Sequence, residues 1–192
     1  MYLGLTGARV KAADCLYAGL ATHGAESAKL GAIKNALANA TWDGDDFAIV
    51  EDILNKHEAP FGSAPLSEIR SEIDHCFAGD SVAAIFESLQ GANSAFGTET
   101  LETLNGKSPT ALCVSFEQIL QGADMSLAEV LNMEYRLAQR MVCKPDLFEG
   151  VRAVIIDKDH APKWQHGDVG QVDPREVAEY FEMLPEEKEL NL

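Results

Sequence analysis

Basic residues are scarce in this chain: 15 Lys and Arg stand against 31 Asp and Glu among 192 residues, a formal net charge of −16. That balance argues against a nucleic-acid or anionic-membrane surface, because polyphosphate and acidic headgroups are repelled at long range. No apolar run approaches the length of a membrane span, and no charged-then-apolar amino terminus marks a secretory signal. A soluble, intracellular protein is expected. Cysteine is sparse and dispersed. Cys15, Cys76, Cys113 and Cys143 form no C-x-x-C pair and stand at no metal-ligand spacing with the histidines, so no zinc site is expected. All four lie within apolar helical patterns and are expected to be buried thiols. Internal repeats and low-complexity tracts are missing, and residues 25–107 contain no convincing apolar/polar alternation of the kind a strand requires.

What is present is helical periodicity with clear punctuation. Residues 11–18 read as a short helix closed by Gly19 in a left-handed cap, followed by a buried Leu20-Ala21-Thr22 segment, so residues 1–23 read as a helix-turn-strand connector. Residues 25–40 place Leu30, Ile33, Lys34 and Leu37 at helical spacing, and residues 46–56 do the same with Phe47, Val50, Ile53 and Leu54. The stretch HEAPFGSAP at 57–65 is a loop. Ile69, Ile73 and Phe77 belong to a helix ending near Gly79. Asp80 is expected to cap the next helix, whose inward residues are Val82, Ile85, Phe86 and Leu89, and a shorter helix occupies 98–105. Ser108 caps a helix with Pro109 at its first position. Ser126 and Glu129 form a capping box for residues 126–143, where Leu127, Val130, Leu131, Leu137, Ala138, Met141 and Val142 make the expected core stripe. Arg136 and Arg140 share its polar side, and salt bridges to the many acids are favoured there over anion binding. Asp173-Pro174 with Glu176 opens a last short helix bearing Val177, Tyr180 and Phe181, after which an acidic tail from Pro185 is expected to fray.

The most informative stretch is DLFEGVRAVIIDKDHAPKW at 146–164. Pro145 stops any earlier helix, Asp146 has the chemistry of an N-cap, and Glu149 stands three residues on to answer it. Phe148, Val151, Val154 and Ile155 recur on one side, which predicts a core face. Charges then crowd at Asp157, Lys158, Asp159 and His160. Ala161-Pro162 ends helical geometry, and Trp164 follows on an extended segment. Taken from the residues alone, this is a C-terminal helix with a solvated charge run and a core tryptophan.

EYRLAQR at 134–140, FEGVRA at 148–153 and DKD-x-x-P-x-W at 157–164 together resemble the C-terminal end of the 3-hydroxyisobutyryl-CoA hydrolases, of the enoyl-CoA hydratase/isomerase (crotonase) superfamily. YLGLTG at 2–7 with ADCLYAGLATH at 13–23 resembles that family's junction between catalytic core and C-terminal helices. The resemblance implies a mainly α chain: the C-terminal helical region of a crotonase-like fold, lacking its ββα catalytic core. It divides the chain into a junction at 1–23, a helical insertion at 24–107 and a C-terminal helical segment at 108–192. The long gap between Gly19-Leu20 and Ser108-Pro109 favours the hydrolase branch over the hydratases.

The family's oxyanion loop and acidic residues precede the junction, so no catalytic residue is assigned here and the fragment is expected to be inactive by itself. The implied substrate is an acyl-CoA thioester of valine breakdown, met through the missing core, with no metal or other cofactor. Lys158 and Arg152 are the candidate substrate-binding cations, nearest the nucleotide end of coenzyme A, although the residues alone read as ion-paired surface groups. A homo-oligomer is left open. The location implied is cytoplasmic in a bacterium and the mitochondrial matrix in a eukaryote. Two alternatives stand beside this reading: a hydratase or isomerase fragment, and a non-enzymatic helical module for interaction or oligomerisation.

Overall fold

Side-chain caps mark where the longest helices begin. The computed structural model describes residues 1–185 and 188–190, and among them every regular element is helical. In chain order these are α1 (Tyr2–Thr6), α2 (Ala12–Tyr17), α3 (Leu30–Ala38), α4 (Asp46–Asn55), α5 (Pro65–Glu68), α6 (Arg70–Cys76), α7 (Val82–Gly91), α8 (Ala95–Asn105), α9 (Pro109–Gly122), α10 (Leu127–Met141), α11 (Pro145–Val151) and α12 (Pro174–Glu179). A π-helical turn, Arg152–Ile156, continues α11, and short 3-10 turns lie at Ser27–Lys29 and Val169–Gln171. Ser94, Ser108 and Ser126 each accept the backbone N–H three residues on, which satisfies a donor that has no partner inside the helix. Glu129 completes the capping box by accepting from the Ser126 amide. The cap of α7 is Ser81 rather than Asp80, because Ser81 holds the extended backbone and its hydroxyl accepts from Ala84. Helix α8 starts three residues earlier than the expected 98–105, because Ser94 caps it by accepting from the Gly97 amide.

The chain divides into two compact units. One is Arg9–Ser71. Within it the buried Asp14 carboxylate accepts the Leu66 N–H at 2.9 Å and so ties α2 to the start of α5. The expected buried strand at Leu20-Ala21-Thr22 is absent. The Leu20 and Ala21 amides both turn back to the Cys15 carbonyl, Gly19 is left-handed, and the Leu20 side chain is exposed. Helix α4 has no buried residue, and Phe47 and Leu30 are bare, leaving Ile33 as the buried member of the two predicted stripes. Leu37, Val50, Ile53 and Leu54 are half-buried, so the two stripes are covered only in part.

The other unit joins Met1–Ala8 to the described residues from Glu72 onward. Leu5, Cys76, Val82, Ile85, Leu89, Leu104, Leu112 and Phe116 form its main core. Burying each large aliphatic side chain stabilises the fold by about 1.5–3 kcal/mol. The Tyr2 ring meets Phe77 edge-on at 5.3 Å, which pins α1 to this core. Gly97 allows α8 to cross α7 closely, because a Cβ there would lie 2.7 Å from the Leu89 carbonyl oxygen. A second cluster gathers Val114, Met133, Leu137 and Tyr180. Helix α10 therefore buries Met133 and Leu137, while Leu127, Leu131 and Val142 from the expected stripe are exposed. Arg136 pairs with Glu189 at 3.0 Å, as the excess of acids favoured. Arg140 instead donates to the carbonyls of Glu182 and Met183. Of the tail expected to fray, Glu186, Glu187, Asn191 and Leu192 lie outside the described residues.

Candidate functional site

Helix α11, its π-turn and the segment that returns along them make a single stapled element. Asp146 does not cap the helix. Its carboxylate accepts the Ser108 hydroxyl at 2.5 Å and the Gln165 amide at 2.8 Å. Glu149 does not reach back to the helix start either; it accepts the Lys163 amide at 2.7 Å and two bonds from the Arg152 guanidinium. Arg152 also binds Asp157 and Asp159, each at 2.7 Å, and donates to the Ala161 carbonyl. Positions 146, 149 and 152 of the helix thus meet 165, 163 and 161 of an antiparallel return. These bonds explain the acidities: hydrogen bonds from Arg152 and the Lys163 amide hold the Glu149 carboxyl down at about 2, and Arg152 with the Ala161 amide lowers Asp159. The same carboxylates, Glu149 foremost, raise the affinity of Arg152 for its proton.

The turn between helix and return is tight. The Asp157 amide bonds the Arg152 carbonyl in the five-residue pattern of a π-turn, and the His160 amide bonds that of Ala153, which is fully buried beneath. Lys158 and His160 both take left-handed backbone, φ 55° and 52°, a conformation unfavourable for L side chains and kept only where neighbours over-determine it. The Arg152 links to Asp157 and Asp159 supply that constraint.

Beyond the turn, Trp164 is half-buried rather than a core residue. Its indole N–H donates to the Gly106 carbonyl at 3.3 Å, and its ring lies over Gly150, where a Cβ would sit 3.4 Å from the ring. Trp164 forms one wall of a cavity of about 440 Å³. Leu147, Gly150, Val151 and Val154 line another wall at i, i+3, i+4 and i+7, and Met141 and Tyr180 close it, with Lys107, Lys144 and Asp146 among the polar groups. Thr110 also lines the cavity, and its buried hydroxyl has no hydrogen-bond partner among the described residues. The predicted core face of this helix is largely uncovered: Phe148 is 64%, Val151 38%, Val154 55% and Ile155 63% exposed. The helix turns its polar side, not its apolar side, to the return segment.

The two sequence-predicted site residues fall on this element. Arg152 is held by three carboxylates, as its reading as an ion-paired residue anticipates, whereas Lys158 stands exposed on the strained turn without an ion pair among the described residues. Neither lines the cavity. The Ser108–Asp146 link, the Gly150–Trp164 stack and the lysines at 107 and 144 were not anticipated, although Gly150 and Trp164 both stand in the motifs quoted above.

A second cavity, about 530 Å³, is walled by Val82, Phe116 and Val177 and includes Cys113. Burial, and then Glu176, push the Cys113 thiol up. The four cysteines are unequal: Cys76 is buried, Cys15 and Cys113 are half-buried, and Cys143 is exposed. Among the described residues no group of three or more side chains is placed to hold a metal, and no helix is long and apolar enough to cross a membrane.

The family model for enoyl-CoA hydratase/isomerase matches residues 1–181. The chain belongs to that family. It is 38% identical to the mitochondrial 3-hydroxyisobutyryl-CoA hydrolase of Dictyostelium discoideum, over 99% of this chain and 50% of that protein. The corresponding hydrolase of Xenopus laevis is 41% identical, over 90% and 46%. Among solved structures, an enoyl-CoA hydratase from Rhodobacter sphaeroides 2.4.1 superposes with a TM-score of 0.80 at 34% identity, covering all of this chain and 53% of its own. A carnitinyl-CoA dehydratase from Mycobacterium thermoresistibile gives 0.80 at 30% identity, over 96% and 51%. The chain therefore spans about half the length of the relatives it matches, and its helical character agrees with the fold class expected from the sequence.

Proposed function

We propose that this chain is the C-terminal helical region of an acyl-CoA thioester hydrolase acting on 3-hydroxyisobutyryl-CoA or a close analogue, as in valine breakdown. The observation that carries the reading is the identity to proteins named as that hydrolase, 38% and 41% over nine-tenths or more of this chain. The hydratase and dehydratase of known structure are less similar, at 34% and 30%. On this reading residues 1–23 are the junction, 24–107 the hydrolase-type insertion and 108–192 the C-terminal segment.

Thioester hydrolysis needs fixed N–H donors for the developing oxyanion and an acid or base within reach of water and carbonyl. On this reading both belong to the half of the relatives that this chain does not match, so residues 1–192 alone are expected not to hydrolyse thioesters. The contribution of this half is binding. Lys158, presented by the turn that Arg152 braces, is the cation for a coenzyme A phosphate, and Arg152 acts mainly by holding that turn. The relatives named as mitochondrial support a matrix location if the source is eukaryotic, and the cytoplasm is the counterpart in a bacterium.

The test is to join residues 1–192 to the unmatched half of the Dictyostelium discoideum relative. Release of free coenzyme A from 3-hydroxyisobutyryl-CoA is then followed by chromatography, and hydration of an enoyl-CoA by loss of its ultraviolet band. Thioester hydrolysis is expected, weakened in KM rather than kcat by Lys158→Ala. A folded protein that hydrates the enoyl-CoA and leaves the thioester intact establishes the hydratase alternative. One that does neither leaves the helical interaction module as the reading.

A further inference from the structure

The two core clusters of the unit that holds α7 to α12 do not close on each other everywhere. Helix α9 serves both, giving Leu112 and Phe116 to one and Val114 to the other. The second cavity, about 530 Å³, has walls from each: Val82 and Phe116 belong to the first cluster, and Val177 and Phe181 pack against the second. Val169 and Val172 at the 3-10 turn line it as well. Protein interiors are normally packed with few voids larger than a water molecule. A cleft of several hundred Å³ lined by apolar side chains, with a few polar groups among them, has the size and character of a site for a small organic molecule.

The charges at this cavity are of one sign. Asp80 and Glu117 line it, and among the described residues no Lys, Arg or His does. Oε1 of Glu117 accepts the Gln121 side-chain amide at 2.7 Å, and a carboxylate has room for further donors. Cys113 on the wall registers a negative surrounding: after burial, the Glu176 carboxylate is what pushes its thiol up. Glu176 pairs with His166 at 2.8 Å, whereas Asp80 and Glu117 lie at the cavity itself. A bare metal ion does not match the site, since no three ligating side chains converge among the described residues.

We propose that this cavity binds an organic ammonium ion on an apolar stem, the stem against Val82, Phe116, Val177 and Phe181 and the positive end at Glu117 and Asp80. A neutral apolar molecule brings apolar surface against the carboxylates with nothing to pair them, and an anion is repelled by them. A stem with a positive end answers both kinds of wall. The site shares no residue with the α11 element and does not depend on the hydrolase reading.

The probe is 2-phenylethylammonium, with 2-phenylethanol as its neutral counterpart and 3-phenylpropionate as the anionic one. Residues 1–192 are treated with iodoacetamide at rising probe concentration, and modification of each cysteine is followed by mass spectrometry. Cys113 is shielded by an occupant, whereas Cys15, also half-buried but in the other unit, is the internal control. Calorimetric titration measures the same affinities without the thiol. The ammonium is expected to slow modification of Cys113 and not of Cys15, and to bind about tenfold or more tighter than the alcohol, the ratio of one charge-assisted bond. The carboxylate probe leaves Cys113 unprotected. Glu117→Gln combined with Asp80→Asn removes the preference for the cation. Ala178→Phe, at an exposed position on the wall, fills the cavity and abolishes protection, and Ala83→Phe on α7 does the same from the facing list of exposed wall positions if the first variant does not fold. The proposal is overturned by any of five results: no binding of the ammonium, equal binding of the alcohol, protection by the carboxylate probe, equal protection of Cys15, or a preference for the cation that survives the double substitution.

Discussion

Substituting Ser108 by alanine separates a helix cap from a tertiary link, because one hydroxyl serves both. Ser108 is 7% exposed, accepts the Ala111 amide at 3.1 Å to cap α9, and donates to Asp146 on α11 at 2.5 Å. Losing the cap costs about 1 kcal/mol. Losing the donor to a carboxylate costs about 1.5–3 kcal/mol more. Ser108→Ala should therefore destabilise the unit by roughly 2–4 kcal/mol. Ser94 provides the control, since it caps α8 through the Gly97 amide at 3.1 Å and, among the described residues, donates to no distant carboxylate; Ser94→Ala should cost about 1 kcal/mol. The assay is urea unfolding in a Trp42→Phe background, so that fluorescence comes from Trp164, which lies in the same unit as Ser108. The midpoint should fall at constant slope. Combining Ser108→Ala with Asp146→Asn should cost clearly less than the two singles added, the signature of a shared bond. Equal costs for Ser108→Ala and Ser94→Ala, or strict additivity with Asp146→Asn, would refute the reasoning.

Two further outcomes concern the Glu149 links and the burial of the thiols. The Glu149 carboxyl is depressed from 4.5 to about 2 in the folded chain, so the unfolded state takes up the proton first. The stabilisation from its links to Arg152 and the Lys163 amide is complete above pH 4.5 and lost as the pH falls toward 2. Glu149→Gln should lower stability at neutral pH and flatten its pH dependence in that window; a variant as steep as the parent shows that the links contribute nothing. Native titration with a thiol reagent should modify exposed Cys143 first and half-buried Cys15 and Cys113 later. Cys76, buried and with its thiol pushed up by burial and then Glu72, should react only on unfolding. Prompt modification of Cys76 in the folded chain contradicts the packing described.

Helix starts were readable to the extent that their chemistry is local. The Ser126–Glu129 box, Ser108 with Pro109, and Asp173 with Pro174 all appear where the residues place them, since each cap bonds an amide two or three positions away. Asp146 and Glu149 carry the same capping pattern and are used otherwise, because their partners at Ser108, Gln165 and Lys163 lie 38, 19 and 14 residues away. No window of sequence weighs a neighbouring amide against one that the folded chain brings back. The Gly150–Trp164 stack has the same origin, two residues of a quoted motif that meet only because the Arg152 turn reverses the chain.

Helical character, the starts of the capped helices and family membership were all legible in residue order. Those properties depend on hydrogen-bonding reach within a turn or two and on the order of residues. Tertiary structure alone decided which apolar stripes are covered. Periodicity identifies Val154 and Ile155 as one face of a helix, but burial requires a second surface at the right distance. Within this chain that distance is filled by the return segment on the opposite, polar side, which leaves the apolar face open.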